Sequence, residues 1–210
     1  MRGRIAVIPA LLLACVAHAA DTGRAPVTLP IDAEKSALTF SIHRPGETIE
    51  GRAHTFTGEV VLDPADLAAA SSVVLRVAAS SLETGNGMRD RKMRGSHLEV
   101  ERFPEIVFRS TSIQVGSERG AAPAPPAGSQ EPAPGPPLRK AIVEGVLSLH
   151  GVDRTIMVPA SIRYDNGTLT AEGTVDLTYS DFSIAIPRFL WLVMDDDIQV
   201  KFRFVARTAR

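Results

Sequence analysis

The sequence predicts an all-β domain of about eight antiparallel strands, closed either as a barrel or as a two-sheet sandwich. Three observations support this class. Apolar and polar residues alternate in successive segments, turn residues separate these segments, and no helical period of useful length occurs outside residues 80–111. The alternation is clearest near the end of the chain, where one face is apolar and the other polar: Ile198, Val200, Phe202 and Phe204 against Gln199, Lys201 and Arg203.

The other predicted strands follow the same rule along the chain. After a short extended stretch at residues 27–30, they cover residues 36–44, 51–63, 72–80, 106–111, 141–149, 156–162 and 169–179, with residues 198–205 as the last. Asp165, Asn166 and Gly167 provide a hairpin turn of the kind that needs positive φ. Gly58 and Gly145 fall on inward positions, where a missing side chain relieves crowding at a bend.

The chain begins with a segment that has the form of a secretory signal. It has 210 residues, a formal net charge of −1 and 44% hydrophobic residues, which is enough apolar material for the core of one domain. Within residues 1–19, Arg2 and Arg4 precede an apolar stretch, and Ala-His-Ala at residues 17–19 is a cleavage site. The apolar stretch is shorter than the ~20 residues that span a bilayer. The sequence therefore predicts export of a folded domain at residues 27–207.

The only cysteine of the chain, Cys15, lies inside this leader. It is either a small apolar residue of an ordinary signal peptide or, because Leu-Leu-Ala-Cys resembles a lipobox, the lipidated first residue of an anchored lipoprotein. Under both interpretations the folded domain has no cysteine. Disulfides, thiolate catalysis and cysteine-ligated zinc are therefore excluded.

Residues 116–137 differ in composition from the rest of the domain. They hold seven of the fifteen prolines, together with Ala, Gly and Ser, and no aromatic or β-branched residue. Such a segment cannot bury apolar surface. The sequence therefore predicts a disordered loop insertion between two strands, with a Pro-rich recognition ligand as the alternative interpretation.

No motif for catalysis or metal binding accompanies the histidines of the domain. His43, His54, His97 and His150 lack the spacings that are typical of metal ligands, and the chain has no G-x-S-x-G nucleophile elbow. The acidic run at residues 195–197 lacks the glycine and distal glutamate of a calcium loop and is typical of a solvated turn. We therefore expect no enzyme activity, no cofactor and no metal site.

The helix-compatible stretch within residues 80–111 carries a basic cluster, Arg89, Arg91, Lys92 and Arg94. The cluster is either a solvated helical face or a site for an anionic head group, because guanidinium groups match phosphate and carboxylate oxygens. Under the second interpretation, Arg89, Arg91 and Arg94 are the candidate head-group contacts. A nucleic-acid partner is not expected, since the net charge is negative and no aromatic residue interrupts the cluster.

A second unusual segment, residues 177–194, is too apolar for an exposed loop. It either plugs one end of a barrel or lines the entrance of an apolar ligand site, with Met88 and Met93 as adaptable partners. The candidate ligand contacts within the segment are Phe182, Phe189 and Trp191.

Five segments of the chain carry motif residues in a fixed order. They are Ile31-Asp32 with Ser36, Phe40 and His43; Gly51-Arg52, Phe56, Gly58 and residues 61–64; Ser81, Thr84, Gly85, Asn86, Arg89, Asp90 and Met93 followed by Phe103, Pro104, Ile106, Phe108 and Ser110; Gly145, Leu147, Leu149, Gly151 and Val152; and Ser180, Asp181 and Phe182. Together these segments resemble the YceI-like polyisoprenoid-binding family, and the resemblance covers nearly all of the chain after the leader.

The resemblance implies a lipocalin-like, closed antiparallel barrel with a short helical segment at one end and an elongated apolar tunnel for a polyisoprenoid or similar amphiphile. Members of the family are typically exported and bacterial, often periplasmic, and no enzymatic activity is established for them as a class. Three features depart from the family pattern. His97 and Leu98 stand where many members have paired aromatics, residues 116–137 are inserted, and Ser183 stands where many members have glycine.

We therefore expect a module that binds, sequesters or transports a polyisoprenoid, an isoprenoid quinone or a fatty-acyl lipid, with transient membrane contact. The oligomeric state stays open, a homodimer included. The alternatives are a structural or stress-related interaction protein with a filled barrel and, with less support, an enzyme acting on an isoprenoid inside the barrel. The strand residues expected to line the tunnel are Phe40, Ile42, Leu75, Val77, Phe108, Leu147, Leu149, Phe202 and Phe204.

Overall fold

An antiparallel sheet of eleven strands curls into a barrel and forms most of the fold. The computed structural model describes residues 26–44, 46–67, 71–116, 136–189 and 192–208. Its strands are β1 (Val27–Pro30), β2 (Ala37–Arg44), β3 (Glu47–Ala53), β4 (Phe56–Leu62), β5 (Ser72–Ala78), β6 (Leu82–Glu83), β7 (Glu105–Val115), β8 (Arg139–Leu149), β9 (Val152–Asp165), β10 (Thr168–Thr178), β11 (Arg188–Phe189), β12 (Leu192–Val193) and β13 (Asp197–Arg207). The helical elements are α1 (Gly87–Lys92), a π-helical turn (Met93–His97) and three short 3₁₀ turns, Ala33–Lys35, Ala79–Ser81 and Ser180–Phe182.

The sheet runs in the order β1-β4-β5-β7-β8-β9-β10-β13-β2-β3-β6, while β11 and β12 pair with each other. The first strand of this order, β1, comes back to the sheet at β13, the eighth strand of the order. Ile31, directly after β1, bridges Ala206 of β13, and the Asp32 N–H donates to the Val205 carbonyl at 2.8 Å. The predicted all-β barrel with one short helix is therefore confirmed, with eleven strands in its sheet where about eight were expected.

The predicted continuous strand at residues 51–63 is wrong, which accounts for part of the difference in strand number. The chain forms β3 and β4 on either side of His54 and Thr55, because its pairing partner changes there from β2 to β5. The Ala78 N–H donates to the Thr55 carbonyl at 3.0 Å. Ala53 and Phe56 are both buried although they are three positions apart, which the period of two in a continuous strand does not allow.

Two tight hairpins join the long strands. β9 and β10 turn through Asn166 and Gly167, with φ values of 46° and 78°, so the predicted hairpin is confirmed. β8 and β9 turn through His150 and Gly151, with φ values of 53° and 74°. Positive φ at both central residues is typical of type I′ turns, whose twist matches that of the flanking strands.

Apolar clusters lie at both ends of the barrel. The far end, where β8 and β10 begin, holds the buried residues Leu29, Val60, Leu62, Ala141, Ala160, Ile162, Leu169 and Ala206. The capping end, where β8 turns into β9 and where α1 and the π-helical turn lie, holds Ile42, Leu98, Leu147, Leu149, Tyr179, Phe182 and Ile184. A smaller cluster of Ala53, Phe56 and Val77 lies in the wall.

Some predictions fall outside the described residues. The leader at residues 1–19, with Cys15, is among them, and so is most of the predicted insertion at residues 116–137. The flanking strands β7 and β8 pair with each other through eight residue pairs with one register shift, between Ser110 and Ser112. Within the described ranges, no helix combines the length and apolar character needed to span a membrane.

Candidate functional site

An apolar cavity of about 680 Å³ occupies the barrel interior between its two ends. Its size falls within the range of ~300–1,000 Å³ that is usual for small-molecule sites. The predicted tunnel residues that line it are Phe40, Ile42, Leu75, Val77, Met88, Met93, Phe108, Leu147, Leu149, Phe202 and Phe204. Met88 is 73% exposed, so the lining reaches the surface at the capping end. Contact of these residues with a ligand stays a prediction.

The apolar segment at residues 177–194 divides between the two roles considered for it. Phe182 is only 1% exposed and packs in the capping-end cluster, so its side chain fills the core and is not part of the cavity lining. Ile184, Pro187 and Met194 border the cavity. The Phe189 backbone belongs to β11, while the Phe189 side chain and the whole of Trp191 lie outside the described part of the chain.

The cavity stays open because three inward phenylalanine rings lie over glycines of a neighbouring strand. A Cβ atom built on Gly145 would lie 2.5 Å from the Phe108 ring, and one on Gly173 would lie 2.7 Å from the Phe202 ring. Phe40 covers Gly51, its direct partner across β2 and β3, in the same way. Each ring fills the space of a missing side chain, which leaves the centre of the barrel free.

A hydrogen-bonded loop holds α1 across the capping end. The Asn86 side chain accepts from the N–H groups of Met88 and Arg89, both at 3.1 Å, and so caps the helix. The Asp90 carboxylate, 5% exposed, accepts from the Thr84 N–H at 2.8 Å and from the Thr84 hydroxyl at 2.6 Å. The polar motif residues of this stretch therefore fix the loop to the first turn of the helix.

The three predicted head-group arginines have different positions. Arg89 lines the cavity, and its Nε and one terminal nitrogen donate to the hydroxyl and the carbonyl of Thr84. Arg91 is exposed and lies outside the lining. Arg94 donates to the carbonyl groups of Asp90 and Ser80, at 3.2 and 2.9 Å, and also lies outside the lining. Only Arg89 of the three therefore borders the cavity.

The sequence interpretation missed Arg44, Lys92 and His97 as lining residues. A signal for Arg44 was present, because it continues the inward alternation of Phe40 and Ile42 by one more step to the end of β2. Lys92 was seen only as part of a basic cluster, and His97 only as a departure from the family pattern.

His97 joins the two segments that close the capping end. Its Nδ1 is 2.9 Å from the Ala185 carbonyl oxygen, which only accepts, so Nδ1 carries the proton in the neutral ring. The Nε2 atom is buried and has no hydrogen-bond partner among the described residues. Burial lowers the pKa of His97 below its ordinary range, and the nearby Lys92 lowers it further, although the bond to Ala185 opposes these effects.

The other polar groups of the lining offer little chemistry. Burial, reinforced by the Asp196 carboxylate, raises the pKa of the Tyr179 phenol, which therefore stays protonated. Across the described ranges there is no group of three or more His, Cys, Asp or Glu side chains that could hold a metal ion. The lining is thus suited to apolar contact, with polar atoms concentrated at the capping end.

Comparisons with known proteins agree with this geometry. The sequence profile of the YceI-like domain matches residues 29–206. A UPF0312 protein from Vibrio cholerae is 27% identical over 159 residues, which cover 72% of this chain and 73% of that protein.

Solved structures with the same fold were also found. BcnA of Burkholderia cenocepacia superposes with a TM-score of 0.67 at 24% identity, over 84% of this chain and 99% of that one. A structure described as a polyisoprenoid binding domain from Saccharophagus degradans, implicated in plant cell wall breakdown, has a TM-score of 0.59 at 13% identity, over 86% and 98%. The YCEI protein of Campylobacter jejuni has a TM-score of 0.58 at 17% identity, over 80% and 90%.

Proposed function

Because the chain belongs to the YceI-like domain family, we propose that it binds a long-chain apolar amphiphile in the barrel cavity and sequesters or transports it. The candidate ligands are a polyisoprenoid, an isoprenoid quinone and a fatty-acyl lipid. The observation that carries the proposal is the apolar cavity of about 680 Å³. The polyisoprenoid binding domain among the structures of the same fold supports it. A solidly filled barrel, the structural alternative, would contain no cavity of this size.

The physical basis is the burial of a hydrocarbon tail. Each buried CH₂ group gains roughly 0.8 kcal/mol, so a long tail needs few polar contacts for firm binding. Strand residues from every side of the barrel border the space, among them Leu75, Phe108, Val158 and Val200. A carrier of this kind would exchange its ligand by transient membrane contact. The form of the leader supports an exported protein that works in the periplasm.

Native mass spectrometry after gentle extraction tests the proposal. We expect the purified protein to carry a lipid or, once delipidated, to take up the C20 isoprenoid alcohol geranylgeraniol. Filling the cavity should reduce this uptake. Val158 lines the cavity, whereas its neighbour Met157 is 69% exposed on the outer face of β9. Val158→Trp should therefore lower lipid uptake at least tenfold, and Met157→Trp should leave it unchanged.

The outcomes separate the candidate functions. A protein that carries no lipid and takes up no long-chain isoprenoid would contradict the proposal and favour the filled-barrel alternative. Equal uptake by the Val158→Trp and Met157→Trp variants would show that lipid associates with the outside of the barrel. Both variants should keep the far-ultraviolet circular dichroism of a β protein, which controls for folding.

A further inference from the structure

The charged residues that line the cavity are all basic, and all lie at the capping end. They are Arg44, Arg89 and Lys92, and no Asp or Glu of the described chain borders the cavity. The far end presents aliphatic side chains, such as Leu62, Ile162 and Leu169. The cavity is therefore polarised along the barrel axis, with positive charge at one end and hydrocarbon at the other.

We propose that the cavity takes an amphiphile with an anionic head group, a carboxylate or a phosphate, with the head beside Arg44 and Arg89 and the tail toward the far end. This inference rests on the proposed function and adds the charge of the head and the orientation of the ligand. Guanidinium groups suit both head groups, because their planar N–H donors match pairs of carboxylate or phosphate oxygens.

Arg89 is oriented before any ligand arrives. Its bonds to the Thr84 hydroxyl, at 2.7 Å, and to the Thr84 carbonyl, at 3.0 Å, use Nε and one terminal nitrogen. The other terminal nitrogen makes no hydrogen bond within the described residues. Asp90 keeps Thr84 in place, so this guanidinium is held by a connected set of hydrogen bonds. A fixed donor loses little conformational entropy on binding.

Arg44 lines the cavity from the end of β2, two residues after Ile42 of the capping-end cluster. One of its terminal nitrogens pairs with Glu47 across the turn between β2 and β3. Its Nε is buried without a hydrogen-bond partner in the described chain. Glu47 is exposed and outside the lining, and the Asp90 carboxylate is engaged by Thr84. These two acids are thus already paired, and neither lines the cavity.

The cavity volume guides the choice of probe. At about 680 Å³ it lies within the ~300–1,000 Å³ that is usual for small-molecule sites, so amphiphiles with a tail of about twenty carbons are suitable probes. We expect their heads at the exposed mouth near Met88.

Binding of four probes to the delipidated full chain tests this inference. Geranylgeranyl phosphate and geranylgeraniol share an isoprenoid tail, while icosanoic acid and icosan-1-ol share a straight one. Isothermal titration below the critical micelle concentrations should give Kd values about tenfold lower for each anion than for its alcohol, the factor expected from one charge-assisted hydrogen bond. A preference for the phosphate alone or the carboxylate alone would identify which anionic source the site favours.

Three variants test which arginines cause the preference for anions over alcohols. Arg44→Gln and Arg89→Gln should each reduce the anion preference, which is the ratio of the Kd of an alcohol to the Kd of its anion, several-fold. Arg91→Gln is the matched control, because Arg91 is exposed on the same helix and lies outside the lining. Arg89→Gln also removes the hydrogen bonds to Thr84 and so alters the loop between Thr84 and α1. Arg44→Gln leaves those hydrogen bonds intact, so its effect on the anion preference does not depend on that loop.

The results distinguish this inference from the proposed function. If no probe binds, the proposed function fails. If alcohols and anions bind equally, or if Arg91→Gln reduces the preference as much as Arg44→Gln, the ligand is bound but the anionic head site is overturned. An anion preference that both cavity arginines support, and that increased salt weakens, would establish the site.

Discussion

The site around Phe182 and the barrel interior next to it are built from the same kinds of apolar side chain, but only the site around Phe182 is filled. Phe182 is completely packed among the residues of the capping-end cluster. Phe40, Phe108 and Phe202 border a cavity of about 680 Å³ instead. The difference lies in what faces each ring. The interior rings lie against glycines of adjacent strands, so they complete the wall without crossing the barrel.

The apolar interior thus has two roles: packed residues stabilise the fold, and the open space can hold a ligand. Protein cores are normally packed to the density of organic crystals, so an unfilled space of this size forgoes packing energy. Completely buried residues outside the lining, such as Leu29 and Phe182, can supply stability while the cavity stays open for a ligand.

The largest effect is expected for Phe182→Ala. The substitution removes a completely buried ring from a packed site and should lower the free energy of unfolding by about 3–5 kcal/mol. Phe202→Ala, in a partly buried ring that already borders the cavity, should cost roughly half as much. Urea denaturation measures both values.

Lipid uptake should show the reverse order for the same two variants. Phe202→Ala alters the cavity wall and should weaken uptake, while folded Phe182→Ala protein should retain it. If both variants lose stability and uptake in the same proportion, the core and the cavity wall are not separate in function.

A second effect is expected at the glycines under the rings. An alanine at Gly173 would place its Cβ 2.7 Å from the Phe202 ring and against the Pro159 carbonyl oxygen, which is backbone and cannot easily move. We expect a loss of about 1–3 kcal/mol and, because the Phe202 ring is pushed inward, a smaller cavity with reduced lipid uptake. Thermal unfolding and native mass spectrometry measure the two consequences.

Gly95→Ala is the matched control for this prediction. Gly95 lies in the π-helical turn with nothing within 4 Å of an added Cβ and without a positive φ. Its stability should stay within about 0.5 kcal/mol of the parent, and its lipid uptake should not change. An equal loss in both variants would mean that glycine flexibility, and not the space under the ring, is what matters.

The barrel wall was predictable from sequence because strand alternation reports directly which side chains face inward. Ile42, Leu75 and Leu147 were placed on that basis, and the same rule extends to Arg44. The signature segment around Thr84 and Asp90 pointed to the fold through its resemblance to a family. These signals are local, or depend on the order of short motifs.

The openness of the cavity could not be predicted in this way. It depends on contacts between strands, such as Phe202 over Gly173, which are far apart in sequence. Phe182 shows the same limit, since hydropathy does not distinguish a ring that fills a core from a ring that lines a cavity. Arg94 carries the same charge as Arg89, but its bonds to backbone carbonyls depend on the π-helical turn, which the sequence pattern did not indicate.

The smallest predicted effect is a pH dependence at the capping end, where His97 borders the cavity. His97 lines the cavity and contacts Ala185, and burial together with Lys92 lowers its pKa below the ordinary value of about 6.5. As the pH falls below this value, the unfolded chain takes up the proton first. The free energy of unfolding should therefore decrease between the ordinary pKa and the lower folded-state pKa, and be unaffected by His97 at higher pH.

His97→Asn isolates this contribution, because the asparagine amide can still donate to the Ala185 carbonyl but does not titrate. Urea denaturation from pH 7.5 to 5 should show a shallower decrease for this variant than for the parent. Identical pH profiles for the parent and His97→Asn would mean that the ring finds an acceptor for its second proton. In that case the boundary between core and cavity rearranges on protonation, and the two regions are less independent than their packing indicates.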